Sequence, residues 1–150
     1  VKGVELEIRL VKSDDERDEI FRIRKQVFVD EQQVPIVEEC DSFEESSDHF
    51  IVCLGSTPIG CARVRIIENV ARLERIALLR EFRREGYGTK LMEYLIDYCT
   101  RQEVDEIIIH AQWYVRGFYE KLGFVPRGEI FQEAGIDHIE MYLEPGSISA

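Results

Sequence analysis

Arg83-Arg84-Glu85-Gly86-Tyr87-Gly88-Thr89-Lys90 stands between a β-like stretch over 70–79 and a helical one in which Leu91, Met92, Leu95, Ile96 and Cys99 share a face. A strand that passes into a helix through two close glycines leaves free backbone N–H groups and the positive end of the helix dipole at one point. An anionic group fits there. Without a Cβ at positions 86 and 88 the chain can turn tightly and come close to phosphate oxygens. Local charge agrees, because residues 72–90 hold six basic and three acidic side chains, a net of +3 in a chain whose total is −11. A bound di- or triphosphate accounts for such a positive island. The plainer alternative is a glycine-assisted turn carrying solubilising arginines. A dinucleotide fingerprint would need Gly or Ala where Leu91 stands, and a P-loop would need Gly-Lys-Ser/Thr where the chain has Gly88-Thr89-Lys90. Neither fits.

Working outward from the turn, 104–110 reads as a short buried strand after the helix, and a helical crossover of this kind joins parallel strands. Upstream, Val4, Leu6, Ile8 and Leu10 alternate with charged residues, the period of a half-buried strand. Ser13 and Glu16 form a capping box ahead of Ile20, Ile23, Val27 and Phe28, which predicts a helix over 14–29. Residues 50–54, a turn at Gly55-Ser56-Thr57-Pro58, and 59–67 make a hairpin signature. Downstream, 114–122 reads as a short helix closed by Gly123, followed by strands at Phe124-Val125 and 138–143. The resulting order, β-α-β-β-β-α-β-α-β-β, predicts an α/β (α+β) fold built on a single mixed sheet, with residues 1–150 forming one domain.

Composition narrows the function classes. At 150 residues, 45% hydrophobic and 33% charged, the chain can bury roughly 70% of its unfolded surface as one compact unit. The longest apolar run, 50–54, is far short of a membrane span. The net charge of −11 opposes extended contact with nucleic acid or an anionic membrane. Cys40, Cys53, Cys61 and Cys99 form no C-x-x-C pair and read as reduced thiols, while the charged alternation at the start lacks a secretory pattern, so a cytoplasmic protein is expected. The acidic run from Glu38 to Asp48 reads as a solvated loop, or as one that steers a cationic amine.

The run 78–88, with Arg83, Gly86 and Gly88 in the arrangement R/Q-x-x-G-x-G/A, resembles the acetyl-coenzyme A signature of the GNAT N-acetyltransferase superfamily. Ala111-Gln112 and Phe118-Tyr119-Glu120-Lys121-Leu122-Gly123-Phe124 resemble its second conserved block. The stretch Arg24-Lys25-Gln26-Val27-Phe28-Val29-Asp30-Glu31-Gln32, together with His49 and Glu133-Ala134-Gly135-Ile136-Asp137-His138, is similar to the bacterial ElaA/YjcF-like branch. The resemblance implies a mostly antiparallel sheet, helices on both faces, and a central parallel pair splayed where the coenzyme enters. It implies acetyl-CoA as co-substrate and no metal. It further implies that the turn with Arg83, Arg84, Glu85, Gly86, Tyr87, Gly88 and Thr89 holds the pyrophosphate. The backbone of Ile76, Ala77 and Leu78 would pair with the pantetheine arm, and Gln112 and Phe118 would also lie at the coenzyme. Gln112 stands where the superfamily often has Asn.

An enzyme of this kind attacks the thioester directly with an acceptor amine, either a small molecule or a peptide. Freeing a lysine-like amine at neutral pH costs about 4.6 kcal/mol, and expelling a thiolate leaves only about 2 kcal/mol, so base help matters more than acid help. Tyr119 matches the superfamily's general acid, a role that suits a phenol protonated at neutral pH. Glu74, on the strand that leads to the turn, is the candidate base through an ordered water; Arg72 and Arg75 beside it make a structural ion pair the competing reading. Phe28, Glu31, His49 and His138 are the candidate acceptor-pocket residues, with structural roles equally open to the two histidines. His110, inside a strand, reads as structural, and three scattered histidines do not make a metal site. The alternative function is a non-catalytic acyl-CoA-binding or regulatory protein of the same fold, and either a monomer or a homodimer is compatible.

Overall fold

The computed structural model describes residues 4–35 and 41–145. Seven strands form one sheet: β1 (Leu6–Leu10), β2 (Asp48–Leu54), β3 (Thr57–Ile67), β4 (Val70–Leu78), β5 (Glu106–Gln112), β6 (Val125–Glu133) and β7 (Ile136–Leu143). Their spatial order is β1-β2-β3-β4-β5-β7-β6, and every neighbouring pair is antiparallel except β4 with β5. The mixed, mostly antiparallel sheet is thus the one the sequence predicts. Among the described residues, no helix is long and apolar enough to cross a membrane.

One face of the sheet is covered by α2 (Tyr87–Arg101), the crossover helix between β4 and β5, with the short α3 (Arg116–Lys121) beside it. Leu91, Met92, Leu95 and Cys99 meet Phe50, Val52, Ala71, Leu73, Ile107, Ile109 and Met141 there. Full burial of each leucine or isoleucine contributes about 1.5–3 kcal/mol, so this layer dominates the core. On the other face α1 (Asp14–Arg24) lays Ile20 and Ile23, with Val27 just beyond it, on Ile51, Cys53, Cys61 and Ala77. Ser13 Oγ accepts from the Glu16 N–H at 3.2 Å, one half of the capping box, while the Glu16 carboxylate takes Arg9 instead. The predicted helix over 14–29 divides: the α-helix ends at Arg24 and the chain continues as a π-helix over Lys25–Glu31.

The sequence misses most of β6, where Pro126 and Gly128 (φ +82°) interrupt the alternation and almost every side chain is exposed. Cys53, Cys61 and Cys99 are buried and none of them is in a disulfide. Cys40 lies outside the described residues, as do Glu38 and Glu39.

Two irregularities position the site. In β4, Glu74 lies opposite Arg63 and Ala77 opposite Cys61, so two residues on β4 face one on β3, and Arg75 takes a φ of +53°. This bulge reverses the side-chain alternation. Ala71 and Leu73 face the α2 layer, whereas Ala77, which would share their side in a regular strand, faces α1. Gly60 on β3 permits the close approach: a Cβ there would stand 2.7 Å from the Ala77 carbonyl oxygen. The second irregularity is that β4 and β5 pair only from Val70↔Glu106 to Leu73↔Ile109. Beyond that rung the two parallel strands part.

Candidate active site

The opening between β4 and β5 leads into a cleft of about 660 Å³. Ile76 from β4, Gln112 from β5, Phe28 from the π-helix, Tyr119 from α3 and His138 from β7 line it. Past the end of β4, outside the residues that line the cleft, stands the glycine turn, where a Cβ at Gly88 would lie 3.8 Å from Leu78 Cδ1. Gly86 caps α2 in the left-handed region (φ +86°, ψ 0°), a conformation that L side chains resist, and no side chain caps the helix. A Cβ at Gly86 would meet nothing within 4 Å, so the space above it is open to a ligand. The first helical bond runs from the Lys90 N–H to the Gly86 carbonyl, which leaves the preceding N–H groups to serve an anion. Gly88 lies beside the second block of the sequence, for a Cβ there would stand 3.5 Å from Phe118 Cζ. The turn therefore fits the diphosphate of an acyl coenzyme.

Tyr119 reaches the cleft from the α2 side of the sheet, with its ring edge-on to Phe118 and Phe124. Its hydroxyl has no hydrogen-bond partner among the described residues, and burial pushes its pKa up to about 12. Gln112 lines the cleft as well, but its amide is engaged: Nε2 donates to Gln32 Oε1 at 3.0 Å, and its Oε1 accepts from the Tyr114 hydroxyl at 2.5 Å.

Glu74 lines the cleft inside a cage of guanidinium groups. Arg63 donates to it from Nη2 at 2.8 Å and Arg65 from Nη2 at 3.1 Å. Burial pushes its carboxyl up, and the two arginines more than offset this, so its pKa lies below the usual value. Of the two roles the sequence leaves open for Glu74, the geometry supports the ion pair. The network continues into the acidic segment. Asp41 takes Arg63 in a two-pronged bond at 2.8 and 2.9 Å, and Glu44 takes Arg24 at 2.9 and 2.7 Å. Arg24 and Arg63 are almost wholly buried, 1% and 0% exposed. In the described part of the acidic run Glu45 is exposed, as in a solvated loop, but Asp41 and Glu44 are not. These two acids neutralise two buried arginines, a requirement invisible until the fold brings residues some twenty positions apart together.

The candidate acceptor residues separate. Phe28 and His138 line the cleft; Glu31 and His49 do not. His49 is buried behind the acidic segment, where its Nε2 lies 2.6 Å from the Glu44 carbonyl and Phe21 meets it edge-on. Its Nδ1 has no partner among the described residues, and burial lowers its pKa. Glu31 is held by Arg83, so a residue expected at the acceptor braces one expected at the coenzyme. His110, read from sequence as structural, lines the cleft. Its Nδ1 lies 3.2 Å from Glu133 Oε1, and that hydrogen bond raises its pKa. Sequence carries no signal for this, because His110 stands one position past the last rung that β5 shares with β4.

A sheet of this order, opened beside an uncapped helix, is a fold shared with coenzyme A-dependent transferases. A Bacillus subtilis acetyltransferase solved in complex with CoA matches with a TM-score of 0.72 at 19% identity, over 93% of this chain and 99% of that one. Escherichia coli ElaA matches with a TM-score of 0.83 at 23% identity, over 94% and 99%. Residues 12–145 match the acetyltransferase (GNAT) domain, and the chain belongs to that family, whose members generally transfer acyl groups from acyl-CoA. The uncharacterized N-acetyltransferase YjcF of Bacillus subtilis is 35% identical over 133 residues, 88% of this chain and 95% of that protein.

Proposed function

We propose that the protein transfers an acetyl group from acetyl-CoA to a primary amine by direct attack in a ternary complex. The observation that carries this reading is the parting of β4, the strand that runs on to the uncapped Gly86 turn, from β5 beyond Leu73, which opens a cleft lined by Ile76 and Tyr119. The N–H groups of residues 84–89 would take the diphosphate. Ile76, Ala77 and Leu78 would accept the pantetheine as an added strand, satisfying backbone groups that β5 no longer reaches. Phe118, against Gly88, would flank the same arm, and Gln112 would border it while holding Gln32.

The amine nitrogen attacks the thioester carbon, a C–N bond forms, and the C–S bond breaks. Burial keeps the Tyr119 phenol protonated at neutral pH. Tyr119 therefore works as a fixed hydrogen-bond donor to the sulfur as charge develops there, and the sulfur takes its proton from the attacking nitrogen.

Thiol release from acetyl-CoA with a panel of amines, amino acids, polyamines and peptides tests the reading. The wild type is expected to turn over at least one acceptor. Tyr119→Phe is expected to keep acetyl-CoA affinity and lose about a hundredfold in kcat. A protein that only binds acyl-CoA would release no thiol with any of them.

A further inference from the structure

Two proton acceptors flank the fork between the parallel strands. Leu73 and Ile109 form the last rung and face the α2 layer. The next residue on each strand, Glu74 on β4 and His110 on β5, projects to the opposite face, where the cleft opens. Tyr119 belongs to the α2 side. A thioester lying in the fork would thus have the phenol on one side and these two groups on the other.

They differ in what surrounds them. Both carboxylate oxygens of Glu74 accept from arginines. His110 is the reverse case: Glu133 Oε1 lies 3.2 Å from Nδ1 and Glu140 Oε1 lies 3.5 Å from Nε2. The edge of Phe131, with ring centroids 5.0 Å apart, fixes the imidazole plane, and the side chain remains 34% exposed to the cleft. A reference imidazole is already roughly a hundredfold stronger base than a reference carboxylate. Their settings widen that gap, because the acids raise His110 and the arginines lower Glu74.

Resting on the acetyl-transfer reading, we propose that His110, oriented by Glu133, accepts the proton that the acceptor ammonium sheds before it attacks the thioester. With Nδ1–H donating to Glu133, Nε2 is left as the proton acceptor, and Glu140, whose Oε1 lies 3.5 Å from it, stabilises the imidazolium once it forms. The ammonium gives one proton to His110, which passes it to solvent. The second proton leaves the nitrogen as the C–N bond forms and ends on the departing sulfur. Glu133 is a positioning residue. Glu133 from β6 and Glu140 from β7 meet the imidazole, Arg127 from β6 holds the other oxygen of Glu140, and Arg72, Glu74 and Arg75 from β4, His138 from β7 and Asp41 share the cleft with it.

The test is the pH profile of thiol release from acetyl-CoA, measured over about pH 5 to 9 with glycine, L-lysine, spermidine and tyramine as probe amines and with water as the control acceptor. The wild-type rate should rise with pH through an apparent pKa above about 6.5, since only neutral imidazole accepts the proton. Glu133→Gln should move that limb to lower pH, because the carboxylate that raises His110 is gone. His110→Asn should lose the inflection at that apparent pKa, keeping only the steady rise that follows the free-amine fraction, and about a hundredfold or more in rate. In His110→Gly, added imidazole should restore part of the rate, which a purely structural histidine would not allow. An inflection that survives in His110→Asn at the wild-type position, or stays in place in Glu133→Gln, would overturn the proposal. So would a wild type that binds acetyl-CoA by calorimetry yet releases no thiol with any probe, an outcome that leaves coenzyme binding standing. Absence of acetyl-CoA binding would overturn the acetyl-transfer reading itself.

Discussion

Arg83 grips Glu31 with both ends of its guanidinium, Nη1 to Oε2 at 2.6 Å and Nη2 to Oε1 at 3.0 Å, while its Nε donates to the Leu78 carbonyl at 2.9 Å. One side chain therefore ties the end of the π-helix to the end of β4, at the base of the loop that carries the glycine turn. The hydrogen bond from Arg83 holds the Glu31 carboxyl below its usual range against the opposing effect of burial. A lowered carboxyl pKa contributes stability that is complete above the ordinary value of about 4.3 and is lost as pH falls through the folded value. Glu31→Gln is expected to cost about 1 kcal/mol at neutral pH, or about 2–4 °C in Tm. Thermal unfolding of the two proteins should give a difference at pH 7 that closes in acid.

Gly86→Ala isolates the backbone requirement of the turn. Its φ of +86° disfavours any L side chain, yet nothing stands within 4 Å of the added methyl. The cost is conformational, about 1–2 kcal/mol. If the turn shifts to relieve it, acetyl-CoA binding should weaken by roughly tenfold while the fold persists. Calorimetry with acetyl-CoA, alongside circular dichroism, reads both effects.

Glu74→Gln separates a structural anion from a catalytic base. The substitution removes one of the carboxylates around the buried Arg63, but Asp41 still holds that guanidinium. Stability should fall by about 1–3 kcal/mol. Turnover per folded molecule should change by less than about tenfold, well short of the loss expected for a general base. Denaturant unfolding and thiol release measured on the same preparation would show which quantity moves.

The Gly86 turn and the strand-helix-strand unit around it were legible because both depend on local chemistry: glycines at a helix start and apolar residues at helical spacing. The bulge at Arg75 was not legible, since the residues 74–77 show no turn signal and the bulge exists only in the pairing with β3, between Cys61 and Arg63. Asp41 and Glu44 looked like solvated charge because nothing nearby in sequence shows that Arg24 and Arg63 lose their water in the fold. His110 looked structural for a related reason. Its neighbours Glu133 and Glu140 come from β6 and β7, and the strand separation that exposes it is a property of the sheet. Tyr119 emerged from its sequence block, while the absence of a partner for its hydroxyl among the described residues needed coordinates.

A crystal structure of the protein with bound acetyl-CoA tests the central claim most directly. The account predicts diphosphate oxygens within hydrogen-bonding distance of the N–H groups of residues 84–89, the pantetheine alongside Ile76 and Leu78, and the thioester sulfur beside the Tyr119 hydroxyl. A coenzyme bound elsewhere, or one seated at the Gly86 turn with its sulfur directed away from Tyr119, would contradict it.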